Sequence, residues 1–520
     1  MIGRTTDTIN RASKFPVIMI GEGLIVGGFA GLIVLLYRIS LNYAGIWMNQ
    51  VLNWIRGNPV RIFVWFFILV GMAFITGFLV KWEPMISGSG IPQLEGEMTG
   101  KLDQRWYRII PAKFIGGFLG MFAGLALGRE GPSIQLGAMA GKGVSRALKR
   151  GKTEEKFLLT CGASAGLSAA FHAPLAGVMF AMEEVHKNFS VVVFISAMTA
   201  SVTADYITSS VLGMEPVFQF QIVGNLPSQY YWMLVILGVV LGLMGIFYNW
   251  FTLLSQSLYK RARLKHPITK AMIPFLLAGI VGLVVPQILG SGHAMIETLT
   301  DGQMVLSMIV VLFLLRFLFS GISFGSGVPG GIFFPMLVLG AYIGGVFGYI
   351  CRDYLGLPAE YVNNFVLLAM AGFFTAVVRA PLTGIILIFE LTGSLSQMLS
   401  LSVITIVSYI VSLLMGAEPI YESLLERILA ANHISTEKGM GQKVLDYYAV
   451  AEESEVANHM IKEIIWPEHC LLVAINRGGK EIIPKGKTKL LMGDIIITMS
   501  DEEHNGDVFD AMSRLCRKHP

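Results

Sequence analysis

The stretch GREGPSIQLGAMAG, residues 128–141, has a counterpart 203 positions further on, GIFFPMLVLGAYIG at 331–344. Gly128, Pro132, Gly137, Ala138 and Gly141 fall on Gly331, Pro335, Gly340, Ala341 and Gly344. A second pair agrees at an offset of 207, with Ala173, Pro174, Leu175, Gly177 and Glu183 falling on Ala380, Pro381, Leu382, Gly384 and Glu390. In a chain with 58 glycines either match alone is weak. Together, at nearly one offset, they mark an internal repeat. Repeated halves with interrupted helices in corresponding places predict a transport site where the halves meet, near the membrane midplane. Whether the repeat is inverted needs a crossing count that the sequence leaves open.

Composition supports a membrane setting. Of 520 residues, 54% are hydrophobic and 14% charged, against roughly 25% charged in a soluble domain, and mean hydropathy is +0.64. A soluble globule, a disordered chain and a nucleic-acid binder are excluded for the chain as a whole. With 39 basic and 35 acidic residues the charge is too balanced for a polyanionic partner. The charge is unevenly placed: residues 437–520 carry 25 charged residues in 84, the first 436 only 49. The fold class expected is therefore an all-α polytopic membrane protein, internally repeated with broken helices, followed by a small α/β domain in water. Cys161, Cys351, Cys470 and Cys516 lie far apart, with no spacing that suggests a disulfide framework or a metal site.

A helical crossing needs about 20 apolar residues. Segments 16–37, 61–80, 109–127, 230–254, 273–289, 304–319 and 399–415 meet that need. Stretches 131–212 and 325–391 are cut by Gly and Pro into short apolar runs, which survive at membrane depth when buried in protein or lining a cavity. The polar start, with Arg4, Arg11 and Lys14, predicts an uncleaved cytoplasmic N-terminal segment over 1–15. The basic loops at 148–156 and 260–270 belong on the same side.

Three glycine-rich stretches carry the chemistry: GSGIP at 88–92, GREGP at 128–132 and GSGVPGGIFFP at 325–335. In each, glycines precede a helix-starting proline, so free backbone N–H groups can converge at a helix's positive end. That arrangement suits an anion. A cation site would need converging oxygens, and no TVGYG-like filter occurs. The bland alternative, glycines that only allow close helix packing, fits one such stretch better than three with the same grammar.

These motifs, with PIY at 419–421, resemble the CLC family of chloride channels and proton-coupled chloride transporters over about residues 15–430. The resemblance implies a CLC-type transport domain over 16–430, a homodimer with a separate pore in each subunit, and a plasma or inner membrane location with both termini cytoplasmic. It implies chloride as the bound substrate ion, with no cofactor. By motif, Ser89 and Tyr421 would offer hydroxyls to the ion, Ile332 and Phe333 backbone N–H groups, and Glu130 would be the external gate. Neutral dipoles can replace chloride's water without the trapping that a buried cation would bring. Ser89 favours chloride over fluoride within the family, while bromide and nitrate stay open.

Glu130 is an ionisable residue inside a membrane segment and so a functional candidate; the structural alternative is an ion pair with Arg129. Its repeat mate is Phe333, so the acid is present in one half only. Glu183 and its mate Glu390 are expected to hold the scaffold by accepting hydrogen bonds. Glu184, whose mate is Leu391, is the unpaired acid, and the resemblance makes it the internal proton-transfer residue of an exchanger. His186 reads as an interfacial histidine rather than a relay. The expected function is chloride/proton antiport, the alternative a passive voltage- or ligand-gated chloride channel with the same pore. A potassium-transport subunit fits the anion grammar poorly, and an intramembrane hydrolase lacks an HExxH or GxSxG motif; no enzyme is expected.

After a linker at 431–442, runs at 444–450, 470–475, 481–484 and 495–499 read as strands, with a helix-like run at 453–465, a hairpin turn NRGG at 476–479 and a closing helix over 501–517. The segment from Cys470 to Met499 resembles the C-terminal lobe of potassium-conductance regulators (RCK_C, or TrkA_C), placing that domain at 443–520. The lobe is chiefly prokaryotic. In that family it dimerises and binds small regulatory ligands, in some members cyclic di-AMP, so a cyclic dinucleotide effector is expected with contact residues unknown. The alternative is a stabilising dimer tail.

Overall fold

A computed structural model describes the backbone from Ile2 onward and side chains from Phe15, apart from residues 215–217, 219–221, 263, 265, 433, 435–442, 453, 479, 502, 503 and 517–520. The linker expected at 431–442 thus lies almost wholly outside the described residues, as do the side chains of the N-terminal segment. The chain forms two compact units, Met1–Ile428 and Leu429–Pro520.

The first unit is helical throughout. Its opening half runs α1 (Ile2–Ile55), α2 (Pro59–Trp82), α3 (Ile91–Met98), α4 (Trp106–Phe122), α5 (Glu130–Ala147), α6 (Lys152–Phe171), α7 (Pro174–Phe180, continued by a π-helical turn Ala181–His186) and α8 (Val191–Leu212). The second half repeats the order with α9 (Tyr231–Arg261), α10 (Pro267–Val284), α11 (His293–Thr300), α12 (Leu306–Gly325), α13 (Phe333–Leu355), α14 (Val362–Val378), α15 (Pro381–Thr392) and α16 (Met398–Leu414), and α17 (Ile420–Ala431) follows. Local chemistry repeats too. Proline opens α2 and α10, and α7 and α15, where its missing N–H costs nothing. Gly90 and Gly292 both take left-handed conformations ahead of α3 and α11. Lys113 donates to Ile86 O and Gly88 O at 2.8 and 2.7 Å, and its mate Arg316 to Ile288 O and Gly290 O at 2.7 and 2.8 Å.

The halves are related by a two-fold axis, because corresponding residues bond each other reciprocally. Glu183 accepts from Leu382 N, Thr383 N and Thr383 Oγ1 at 3.3, 2.9 and 2.8 Å. Glu390 accepts from Leu175 N and Ala176 N at 2.9 and 2.7 Å. Each carboxylate caps the helix of the opposite half, as a scaffold role requires.

The expected crossings need correction. Eight helices are long and apolar enough to span, among the described residues: Phe15–Ile55, Pro59–Trp82, Val191–Leu212, Ser228–Arg261, Pro267–Val284, Leu306–Gly325, Phe333–Leu355 and Ala359–Val378. The segments at 109–127 and 399–415 form shorter helices, α4 and α16, of 17 residues each. Conversely, Phe333–Leu355 is an unbroken 23-residue helix inside a stretch expected to be interrupted. Its glycines serve packing: a Cβ on Gly340 would lie 2.8 Å from Ala369 O of α14, so the helices meet backbone to backbone. α5 and α6 cross in the same way through Gly137 and Gly162. Within Phe333–Leu355 and Ala359–Val378 most residues are buried, against about a third in Pro59–Trp82, which puts α13 and α14 at the centre of this unit and α2 at its surface.

The second unit holds an antiparallel sheet in the order β1-β4-β2-β3, from β1 (Lys443–Ala449), β2 (Cys470–Arg477), β3 (Lys480–Ile482) and β4 (Ile495–Asp501). α18 (Asn505–Cys516) packs Val508, Met512 and Cys516 into its core with Tyr448, Ile475 and Ile496. The hairpin forms as expected: Arg477 pairs with Lys480 across a two-residue turn, and Gly478 has φ +55°, while Gly479 lies outside the described residues. Among the described residues, the helix-like run at 453–465 does not become an α-helix; a 3-10 turn, Ile461–Glu463, forms instead. Some of its backbone donors make i−3 turns within the run, such as Ala457 N to Ser454 O at 3.0 Å, and others go to a neighbouring segment, Asn458 N to Leu490 O at 2.8 Å, Ile461 N to Thr488 O at 3.0 Å and Lys462 N to Gly486 O at 3.0 Å, so no i−4 ladder forms.

Candidate functional site

The three glycine-rich stretches are stitched together by backbone. Gly330 N donates to Gly88 O at 3.0 Å. Gly128 and Gly331 form an antiparallel bridge, with N–H···O distances of 2.7 and 2.8 Å. A Cβ on Gly131 would lie 2.8 Å from Ser89 Cβ, so the start of α5 rests on the GSGIP turn. Proximity this close leaves no room for a side chain at Gly131.

α3, α5 and α13 begin here, and none is capped by the side chain of its own N-cap residue. α7 and α15 likewise lack an N-cap side chain, but their first N–H groups are taken by Glu390 and Glu183 of the opposite half. Uncapped N–H groups at converging helix starts form a positive, anion-directed centre. Pro132 and Pro335 sit at the third position of α5 and α13, confining the free donors to the residues ahead of them.

The expected site residues lie in or beside this centre. Ser89 is buried, and its Oγ accepts from Ile91 N at 3.4 Å, leaving its O–H to donate. Ile332 and Phe333 are fully buried. Three rings surround the Phe333 ring, with centroids 4.8 Å (Phe374), 5.5 Å (Phe171) and 5.7 Å (Phe180) away, a wall that keeps water out. Tyr421, on α17, is fully buried with no hydrogen-bond partner for its hydroxyl, within electrostatic reach of Glu184, Glu95 and Glu130. A buried unpaired hydroxyl costs about 1–3 kcal/mol, a cost an anion accepting its proton would remove.

Glu130 opens α5 and is 1% exposed. Its carboxylate folds back over Gly128, where a Cβ would collide with Oε2. Arg129 Nε lies 3.7 Å from Oε1, so the ion pair weighed from the sequence is present. Backbone N–H groups of Arg129, Glu130 and Phe334 also face the carboxylate, and Oε2 has no hydrogen-bond partner. Phe334 was not anticipated; it directly follows the two residues that were, and the ring-rich FF pair hides which backbone N–H points inward.

On the far side, Glu184 in the π-helical turn is 4% exposed. Beside it lies Glu95 of α3, 3% exposed, which the sequence reading passed over because it falls outside the Gly-Pro grammar. An acid at membrane depth was the available signal. Lys187 Nζ is 4.0 Å from Glu95 and 2.5 Å from Glu422, drawing both acids' surroundings toward the half-exposed surface. Adjacent carboxyl groups can pass a proton between them. His186 Nδ1 lies 3.0 Å from Thr160 Oγ1, and its ring lies against Phe157.

A two-fold helical repeat in the membrane with helix N-termini converging on one buried point defines an ion-transport protein with an anion-directed centre. The sequence model of the voltage gated chloride channel family matches residues 71–413, and the chain belongs to that family. A TrkA-C domain matches 447–503. Among relatives, the H(+)/Cl(-) exchange transporter ClcA of Vibrio campbellii is 35% identical over 419 residues, covering 78% of this chain and 88% of that one. The crystal structure of a slow cyanobacterial Cl-/H+ antiporter aligns with a TM-score of 0.76 at 31% identity, covering 80% and 99%. A CLC-type fluoride/proton antiporter aligns at 0.65 and 18% identity, covering 78% and 97%, a likeness of fold.

Proposed function

We propose that this protein exchanges chloride for protons, with Glu130 as the gate and Glu184 as the internal proton-transfer residue. The observation that carries the reading is the Glu130 carboxylate lying against helix-start N–H groups, where an anion would bind. A carboxylate there competes with chloride; protonation removes its charge, releases it and admits the ion, so one side chain links the two fluxes. Ser89, Tyr421 and the N–H groups of Ile332 and Phe333 would replace chloride's water at the centre. Glu184, with Glu95 beside it, would bring protons from the cytoplasmic side. The relatives described as exchangers support antiport over passive conduction. The family resemblance supports a homodimer in a prokaryotic cell membrane with cytoplasmic termini.

The TrkA-C match supports control by a small ligand, with cyclic di-AMP the first to try. Within the domain, Arg477 bonds Asp494 at 2.8 and 2.7 Å and Lys489 O at 2.7 Å. Chloride flux with and without the dinucleotide, in the full chain and in a chain ending at 442, tests this control; an equal effect in both removes it.

Antiport is tested in proteoliposomes with an outward chloride gradient and no proton gradient. Exchange drives protons inward against their own developing gradient. Chloride efflux with no proton entry identifies the passive channel instead.

A further inference from the structure

His469, Asp501 and His504 bring their ligand atoms within 4.8 Å of one another, and no part of the transport reading uses them. The sheet makes the meeting place: Cys470 pairs with Ser500 in the β2–β4 register, so the residue before β2 and the last of β4 are neighbours. His504 directly precedes α18 and reaches the same corner. The two imidazoles stack with centroids 3.9 Å apart and planes 19° from parallel. His469 holds φ +64°, a left-handed conformation that a side chain larger than glycine rarely takes. Among the described residues, His504 Nδ1 is buried with no hydrogen-bond partner, a ring nitrogen withdrawn from water.

We propose that His469, Asp501 and His504 form a binding site for a divalent transition metal of the zinc class. Two imidazole nitrogens and one carboxylate oxygen are a donor set that zinc accepts, with water as a fourth ligand. Calcium and magnesium prefer all-oxygen shells. Metal–ligand bonds of roughly 2.0–2.2 Å draw donors closer than they stand here, and the exposed His469 has room to rotate. The ion ties the entry of β2, the end of β4 and the start of α18 at one point, fixing the helix whose Val508, Met512 and Cys516 complete the tail's core. The orphaned nitrogen then has a partner.

The test uses full-length, untagged protein in detergent, stripped with a chelator and titrated with zinc chloride by calorimetry. About one high-affinity zinc per chain is expected. His469→Ala, Asp501→Asn and His504→Ala each weaken it at least tenfold, with circular dichroism and elution volume unchanged. X-ray absorption of the zinc-loaded wild type, which needs no variant, should show two imidazoles and only nitrogen or oxygen donors. No stoichiometric binding, binding unchanged in the His469→Ala/His504→Ala double variant, or sulfur in the shell overturns the site.

Discussion

Gly128 and Gly331, counterparts in the two halves, exchange both backbone hydrogen bonds, at 2.7 and 2.8 Å. The internal two-fold therefore passes through a two-residue antiparallel ladder, from which α5 and α13 set out. The proposed anion centre is built from backbone where the two halves meet.

A methyl group at either glycine should act differently. On Gly128 it would meet Glu130 Oε2, with Pro335 Cδ at 3.0 Å and Phe334 Cβ at 3.3 Å, and the mobile carboxylate yields first. Gly128→Ala should lower the protons moved per chloride while chloride flux persists. On Gly331 the neighbours are Gly131 N at 3.1 Å and Gly128 O at 3.4 Å, backbone that cannot rotate away. Gly331→Ala should lower the melting temperature more than it alters coupling. Paired flux and thermal-unfolding measurements separate the two, and the reverse pattern refutes the placement of Glu130.

Tyr421→Phe removes a hydroxyl with no protein partner. Stability should hold or rise, while chloride affinity falls by about 1–3 kcal/mol, roughly 5- to 150-fold in Kd. Ser89→Ala should weaken binding similarly. Calorimetric titration with unchanged chloride affinity in both variants would mean neither side chain touches the ion.

Glu183→Gln and Glu390→Gln should destabilise the protein alike, by about 1–3 kcal/mol each, because each carboxylate caps the opposite half's helix. Glu184→Gln caps nothing and should leave the melting temperature near wild type while abolishing proton coupling. An exchange of phenotypes between Glu183 and Glu184 would break this division.

In the tail, burial acts to raise the Asp494 carboxyl, but the Arg477 guanidinium and the Leu491 N–H outweigh it and hold the group below its usual value. A depressed carboxyl stabilises the fold above its unfolded value of about 3.9 and ceases to as pH falls through the folded one. Asp494→Asn should speed amide hydrogen exchange across residues 490–496 at pH 7. The ratio of variant to wild type should fall toward one as pH is lowered through the folded carboxyl's depressed value; a ratio independent of pH would show that the charge is not what matters.

Much of the centre was legible because glycine before proline leaves few options: GSGIP, GREGP and GGIFFP each became a helix start without an N-cap side chain. The mates Glu183 and Glu390 were legible as scaffold because the repeat paired them. Glycine's second use was not. Gly340 and Gly344 looked like breaks in a crossing, yet α13 runs through them, since sequence does not distinguish a glycine that bends a helix from one that admits a neighbour. Glu95 was missed because its partner Glu184 is 89 positions away. The run at 453–465 has helical composition, but pairing with 486–490 decided it, a tertiary contact that outweighs propensity.

The central claim, that one carboxylate links the two fluxes, is tested most directly by recording chloride efflux and proton uptake together from liposomes containing wild-type or Glu130→Gln protein. The wild type should move protons against their gradient in fixed proportion to chloride, and Glu130→Gln should pass chloride with no proton movement. Proton uptake still locked to chloride efflux in Glu130→Gln would contradict the account.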